Sequence, residues 1–181
     1  MDSHFESIKT LLASDHNKIV TNLVIEYVGN DEVKFAALME LFFSKDWLMN
    51  QRAAWPIPYI VRDHPELINP YISKLIDNLD NPSHNAVVRN TVRMFEEIEV
   101  PVDLQGKLYD ICFNLLTKID EPVANKIFSM TVLYKIGEPF PELLNELKLT
   151  IENQLPYEKP GFKSRGRKTL ALIEKRLNAS S

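Results

Sequence analysis

The sequence predicts an all-α fold, an α-α solenoid of about five stacked helix pairs. Three observations carry that reading. Apolar residues recur at helical spacing along nearly the whole chain. Period-two alternation never lasts beyond a few residues, and glycine is scarce, 5 in 181 residues, which argues against strands and hairpins. Finally, one phrase of leucines and basic residues returns at a fixed interval.

The elements follow in order. Phe5, Ile8, Leu11 and Leu12 form the first apolar stripe, Ile19, Leu23 and Tyr27 the second, and Val33, Ala37 and Leu41 the third. Punctuation separates them: Ser14-Asp15, Gly29-Asn30-Asp31, Ser44-Lys45-Asp46, Asp63-His64-Pro65, Asn81-Pro82-Ser83, Pro101, Glu121-Pro122, Gly137 with Pro139 and Pro141, and Pro156 with Pro160-Gly161. Asp, Asn and Ser there can accept hydrogen bonds from the unpaired N–H groups that open a helix. Proline fits the first turn, where its missing N–H would have had no partner. About ten short helices result. Pro56 and Pro58 fall where one helix should continue, so the spacing predicts a break near Trp55–Pro58. "LPYEKPGFKSRG" (155–166) reads as a long connection, with GFKSRG a basic loop.

Laid over one another, helices beginning near Leu67, Leu104 and Leu143 superpose position by position. One turn on come Tyr71, Leu108 and Leu147; then Leu75, Cys112 and Ile151; then Leu79, Leu116 and Leu155, at offsets of 37 and 39 residues. The intervening helices each carry a basic residue in an early turn: Arg52, Arg89, Lys126 and Arg165, spaced by 37, 37 and 39. Each pair is too small to bury its apolar side alone, so it stacks on its neighbours. A cysteine superposed on Leu75 and Ile151 reads as a buried thiol acting as a small hydrophobe.

The stretch "LINPYISKLIDNLDNPSHNAVVRNTVRMFEEI" (67–98) resembles a HEAT repeat, and "FSKDWLMNQRAAW" (43–55) repeats its second-helix pattern. The resemblance implies a right-handed α-α superhelix, a single domain over residues 1–181 with repeats at about 2–29, 31–63, 65–99, 102–137 and 139–178. It also implies that the recurrent basic residue pairs with an acid ending the preceding helix, for which Asp80 with Arg89 and Asp120 with Lys126 are the candidates.

Composition bounds the function. An apolar fraction of 45% and a charged fraction of 25% suit a globular chain, and no apolar run approaches membrane-spanning length. The opening "MDSHFESIKT" lacks the features of a secretory signal, and one cysteine cannot form an internal disulfide; both point to a reducing, cytoplasmic setting. The net charge of −4 is uneven: residues 157–181 carry +5, leaving −9 for the rest. Catalytic signatures are missing. His4, His16, His64 and His84 sit at separate helix ends and loops without ligand spacing, no phosphate-binding glycine motif occurs, and Glu96-Glu97 reads as a solvated helix face. The sequence therefore implies no enzyme, no cofactor and no metal.

The first functional reading is a protein-protein interaction scaffold or adaptor that binds a protein partner along a concave face made by the second helix of each pair. Arg52, Arg89, Arg93 and Lys126 would line that face, with Asn85 and Asn90 exposed opposite buried Val88, Val92, Phe95 and Ile98. Lys163, Arg165, Arg167 and Lys168 form a second candidate, a basic end able to dock an anion. The alternative is a nucleic-acid-binding protein similar to the HEAT-like DNA-alkylation-repair glycosylases, since "DWLMNQRAAW" loosely resembles one of their helices and Trp47, Trp55, Tyr59 and Phe162 could stack on bases. The acidic body and the lack of a motif-placed catalytic carboxylate weigh against it.

Overall fold

A computed structural model describes residues 3–80, 82 and 85–179. Asn81, Ser83 and His84 of the sequence reading lie outside the described residues, as does the side chain of Asn85. Among the described residues there are eleven α-helices, one 3-10 helix and no strand. The chain is all-α.

Contacts divide it into two compact units, residues 1–99 and 100–181. The first holds α1 (Ser3–Ser14), α2 (Lys18–Val28), α3 (Glu32–Phe42), α4 (Trp47–Ala53), α5 (Ile57–Asp63), the 3-10 helix (Pro65–Tyr71), α6 (Ile72–Asp80) and α7 (Asn85–Met94). The second holds α8 (Val102–Thr117), α9 (Val123–Gly137), α10 (Pro141–Gln154) and α11 (Pro160–Asn178).

The helices open in two ways. In the first, polar side chains cap: Asn17 accepts from the Val20 N–H at 3.0 Å, Asp31 from Val33 and Lys34 at 2.9 and 3.1 Å, and Asp46 from Leu48 and Met49 at 3.0 and 3.3 Å. In the second, proline does the work, as Pro101 and Pro122 just before α8 and α9, and as Pro141 and Pro160 in the first turns of α10 and α11. Gly29 closes α2 at φ +52°, a conformation that costs other residues but not glycine, and its N–H donates to the Ile25 carbonyl at 2.9 Å.

Proline also shapes the interior. α4 stops at Ala53, residues 54–56 turn, and α5 begins at Ile57, so the break falls where Pro56 and Pro58 put it. Pro70 has a larger effect than the leucine spacing suggested. Regular α-helix begins only at Ile72, not near Leu67, and Pro65–Tyr71 adopts the tighter 3-10 form. The pyrrolidine ring cannot supply the N–H for an α-type bond and would crowd the carbonyl four residues back.

The last connection is shorter than the sequence reading had it. GFKSRG is helical, within α11, and the link from α10 is only 155–159. Pro160 sets the first turn, and the glycines serve packing: a Cβ on Gly166 would lie 3.0 Å from Ile151 Cγ2, and one on Gly161 would lie 3.3 Å from Ile127 Cδ1. Close helix approach, not loop flexibility, is what they provide.

Within the first unit, α1 packs on α2, α3 and α4, while α5 packs on α2, α7 and the 3-10 helix. Phe35, Leu38, Phe42 and Leu75 are completely or almost completely buried there. Within the second, α8 packs on α9, α9 lies along α11, and α10 packs against both α9 and α11. Its core is Leu108, Cys112, Leu116, Leu133, Leu147, Ile151, Phe162 and Ile173, all at 0% exposure. The superposed trio Leu75, Cys112 and Ile151 is alike in burial, each at 0% exposure in the core of its own unit.

Candidate functional site

The basic residues singled out by sequence divide between the units: Arg52, Arg89 and Arg93 in the first, Lys126, Lys163, Arg165, Arg167 and Lys168 in the second. They do not play one repeated role. Arg52 is half-buried on α4 and donates from Nη1 to the carbonyls of Leu12 at 2.7 Å and Ala13 at 3.1 Å. Those carbonyls end α1, where the last turn of a helix leaves oxygens without intrahelical donors and favours a cation. On α7, Arg89 is exposed and Arg93 half-buried. Asn90 departs from expectation: it is buried, beside buried Val87, Thr91 and Met94. The packed side of α7 thus wraps round the helix beyond the Val88, Val92, Phe95 and Ile98 stripe.

Lys126 is a second correction. Only 3% exposed, its Nζ lies 2.6 Å from Glu158 Oε1 and 3.3 Å from Gln154 Oε1, so the partner is Glu158 after α10, in place of the expected Asp120. Aliphatic burial plus an opposite charge fixes this ammonium in the packing instead of presenting it on an exposed helix face. The three residues form the wall of a cleft of about 360 Å³ with Thr117, Ile119, Thr150, Asn153 and Tyr157.

α9 and α11 run side by side in parallel, and the rungs between them can be read off. Gly161 meets Ile127; Arg165 Nη1 donates to Thr131 Oγ1 at 2.5 Å; Arg176 Nε bonds Glu138 Oε1. Partners are thus 34 residues apart at the first two rungs and 38 at the last. Between the second and third rungs opens a groove of about 320 Å³ lined by Thr131, Tyr134, Arg165, Lys168, Thr169 and Leu172. Thr169 forms its floor at 3% exposure, Tyr134 is half-buried, Lys168 is exposed, and Leu172 is 48% exposed. The spacing Arg165, Lys168, Leu172 is the three-and-four step that places residues on one helix face. Lys163 turns away from it, donating to the Pro156 carbonyl at 3.1 Å, and Arg167 is exposed elsewhere on α11.

Charge is segregated within this unit. α8 carries Asp103 and Asp110 against Lys107, and α10 carries Glu142, Glu146 and Glu152 against Lys148. α9 has Lys126 and Lys135 and no acid, while α11 has Lys163, Arg165, Arg167, Lys168, Lys175 and Arg176 against Glu174. The helices that build the groove are the positive ones.

Two-helix units recur with superposable leucine positions, and α9 and α11, the second helices of two successive pairs, run parallel. A family model described as "HEAT repeat domain" matches residues 8–173. The chain belongs to the HEAT-repeat family. No curated protein and no solved structure matches it. Its HEAT character accounts for the parallel run of α9 and α11, since equivalent helices of successive repeats point the same way.

Other features of this HEAT protein fall outside the groove. Phe162 is fully buried and offers no stacking face; Trp55 is half-buried and packs T-shaped with His16, ring centroids 4.6 Å apart; Trp47 is 54% exposed. Burial pushes the Cys112 thiol up to about 12, with a smaller opposing effect of the nearby Ser129 hydroxyl. Among the described residues no group of three or more His, Cys, Asp or Glu side chains could hold a metal ion, and no helix is long and apolar enough to cross a membrane. Sequence reasoning found Arg165 and Lys168 but missed Thr131, Tyr134, Thr169 and Leu172. The step of three and four that joins Arg165, Lys168 and Leu172 was legible; the contribution from α9 needed the register between helices.

Proposed function

We propose that this HEAT-repeat protein is a non-enzymatic interaction scaffold, cytoplasmic, that holds a protein partner on the face made by second helices of its pairs. The carrying observation is the α9–α11 groove, where exposed Leu172 and half-buried Tyr134 stand beside Arg165 and the exposed Lys168. Exposed apolar side chains among charges are the makings of a protein-binding surface, in which an apolar anchor supplies affinity and the charged rim supplies orientation. Arg165 is already held by the Thr131 hydroxyl, so little ordering entropy is lost when a partner arrives. The nucleic-acid reading has less to rest on, with Phe162 in the core and a first unit in which acids outnumber bases.

The test compares what the wild-type chain and a Leu172→Glu variant retain from an extract of the native cell. A protein held by wild type and released by the variant, with equal urea midpoints for the two chains, is the expected result. An identical set of retained proteins on both chains would refute the proposed face.

A further inference from the structure

We infer that the α9–α11 groove receives an acidic amphipathic segment of a partner protein, an aliphatic side chain flanked by carboxylates; this rests on the interaction-scaffold reading and specifies its ligand. Three observations lead there. First, the groove's own chemistry is mixed: Leu172 and Tyr134 give an apolar wall, and Lys168 and Arg165 stand one and two turns before Leu172 on the same face. An aliphatic side chain resting on that wall places neighbouring positions of its own chain beside the two cations. Second, the excess of Lys and Arg in this unit lies on α11, and the excess of acids on α8 and α10, with Lys126 of α9 neutralised by Glu158, so an anion is attracted to the α11 cations. Third, a volume of about 320 Å³ is at the small end of ligand sites, enough for a side chain or two.

A polynucleotide fits less well. Its affinity grows with the number of phosphates neutralised along a track. Here the cations are gathered on one helix, and the exposed apolar anchor is an aliphatic side chain with no face for base stacking. Recognition of carboxylates beside an aliphatic anchor uses everything the groove presents.

The experiment is fluorescence anisotropy on the full chain with a labelled peptide in which leucines are flanked by glutamates. A matched peptide with glutamine for glutamate, a leucine-lysine peptide and a single-stranded RNA serve as the other probes. The glutamate peptide is expected to bind, and to weaken several-fold between about 50 and about 300 mM NaCl as screening grows. Lys168→Glu, at an exposed position, should weaken it about tenfold or more while leaving the urea midpoint unchanged. Leu172→Ser should weaken it at both salt concentrations alike. Equal binding of the glutamine peptide would overturn the acidic specificity and leave the scaffold reading intact. Tighter binding of RNA, lost in Lys168→Glu, would overturn both. Sedimentation showing self-association that Lys168→Glu abolishes would give the groove to a second copy of this chain and overturn the inference. Failure of the glutamate peptide to bind at low salt also overturns it but leaves the scaffold reading standing, which the extract comparison with Leu172→Glu tests separately.

Discussion

Lys126 and Glu158 form a buried ion pair, Nζ to Oε1 at 2.6 Å, that ties α9 to the turn between α10 and α11. Lys126 is 3% exposed and the Glu158 side chain 19%, so water screens the pair poorly. Removing one partner of such a pair strands the other charge in the interior.

Glu158→Gln should therefore destabilise the second unit by about 3–5 kcal/mol. The double variant Lys126→Met with Glu158→Leu should recover most of that loss, because no charge is left unpaired. Urea unfolding of the three chains decides it: a double variant as unstable as the single one would mean that packing, not charge, holds this corner.

Two glycines should respond oppositely to a side chain. Gly106, exposed inside α8, has nothing within 4 Å of the Cβ position, so Gly106→Ala should stabilise by about 0.5–1 kcal/mol through reduced backbone entropy. A Cβ at Gly166 would lie 3.0 Å from Ile151 Cγ2 and 3.3 Å from Leu155 Cδ2. There Gly166→Val should lower stability by about 1–3 kcal/mol by forcing α11 off α10. Thermal melts of both chains give the comparison, and an unchanged Gly166→Val midpoint would contradict the close packing.

Arg52 bridges from α4 to the end of α1. Arg52→Ala should lower the stability of the first unit by about 1–3 kcal/mol, the worth of charged hydrogen bonds with partial exposure. Arg52→Lys should recover only part of it, since both bonds come from Nη1 at the far end of the guanidinium and the shorter lysine side chain ends before that position. Hydrogen exchange provides a local readout: the last turn of α1 should lose protection first.

Alkaline pH should unfold the second unit. Burial raises the Cys112 thiol from 9.0 to about 12, and burial together with the charges of Glu146 and Asp110 raises the Tyr109 phenol from 10.0 to about 12. Both groups are neutral when protonated, and the folded state keeps them so. The unfolded chain releases these protons at lower pH, hence binds fewer of them between pH 9 and about 12. Stability is then fully present below pH 9 and declines as pH rises through the folded-state values. Cys112→Ala should flatten the part of that decline that begins nearest pH 9, seen as a shallower slope of urea midpoint against pH. For the same reason the native thiol should resist alkylation at neutral pH and react only as the unit opens.

Sequence alone determined the repeating helix pairs, the burial of Leu75, Cys112 and Ile151, and the interruption after Ala53. Each of these follows from local rules: periodicity selects the buried side, and proline removes a specific N–H. The extent of the 3-10 turn at Pro65–Tyr71 and the helical state of GFKSRG were harder, because tertiary packing chose among locally permitted conformations. Least legible were the roles of the basic residues. Arg52, Lys126 and Arg165 share a position in the repeat yet meet carbonyls, a carboxylate and a hydroxyl respectively. A long charged side chain reaches whichever acceptor lies within several ångströms, and that is set by how neighbouring helices are registered. The groove arises in the same way: α11 provides its cations, but only the alignment of Thr131 with Arg165 brings Tyr134 of α9 alongside Leu172 to complete it.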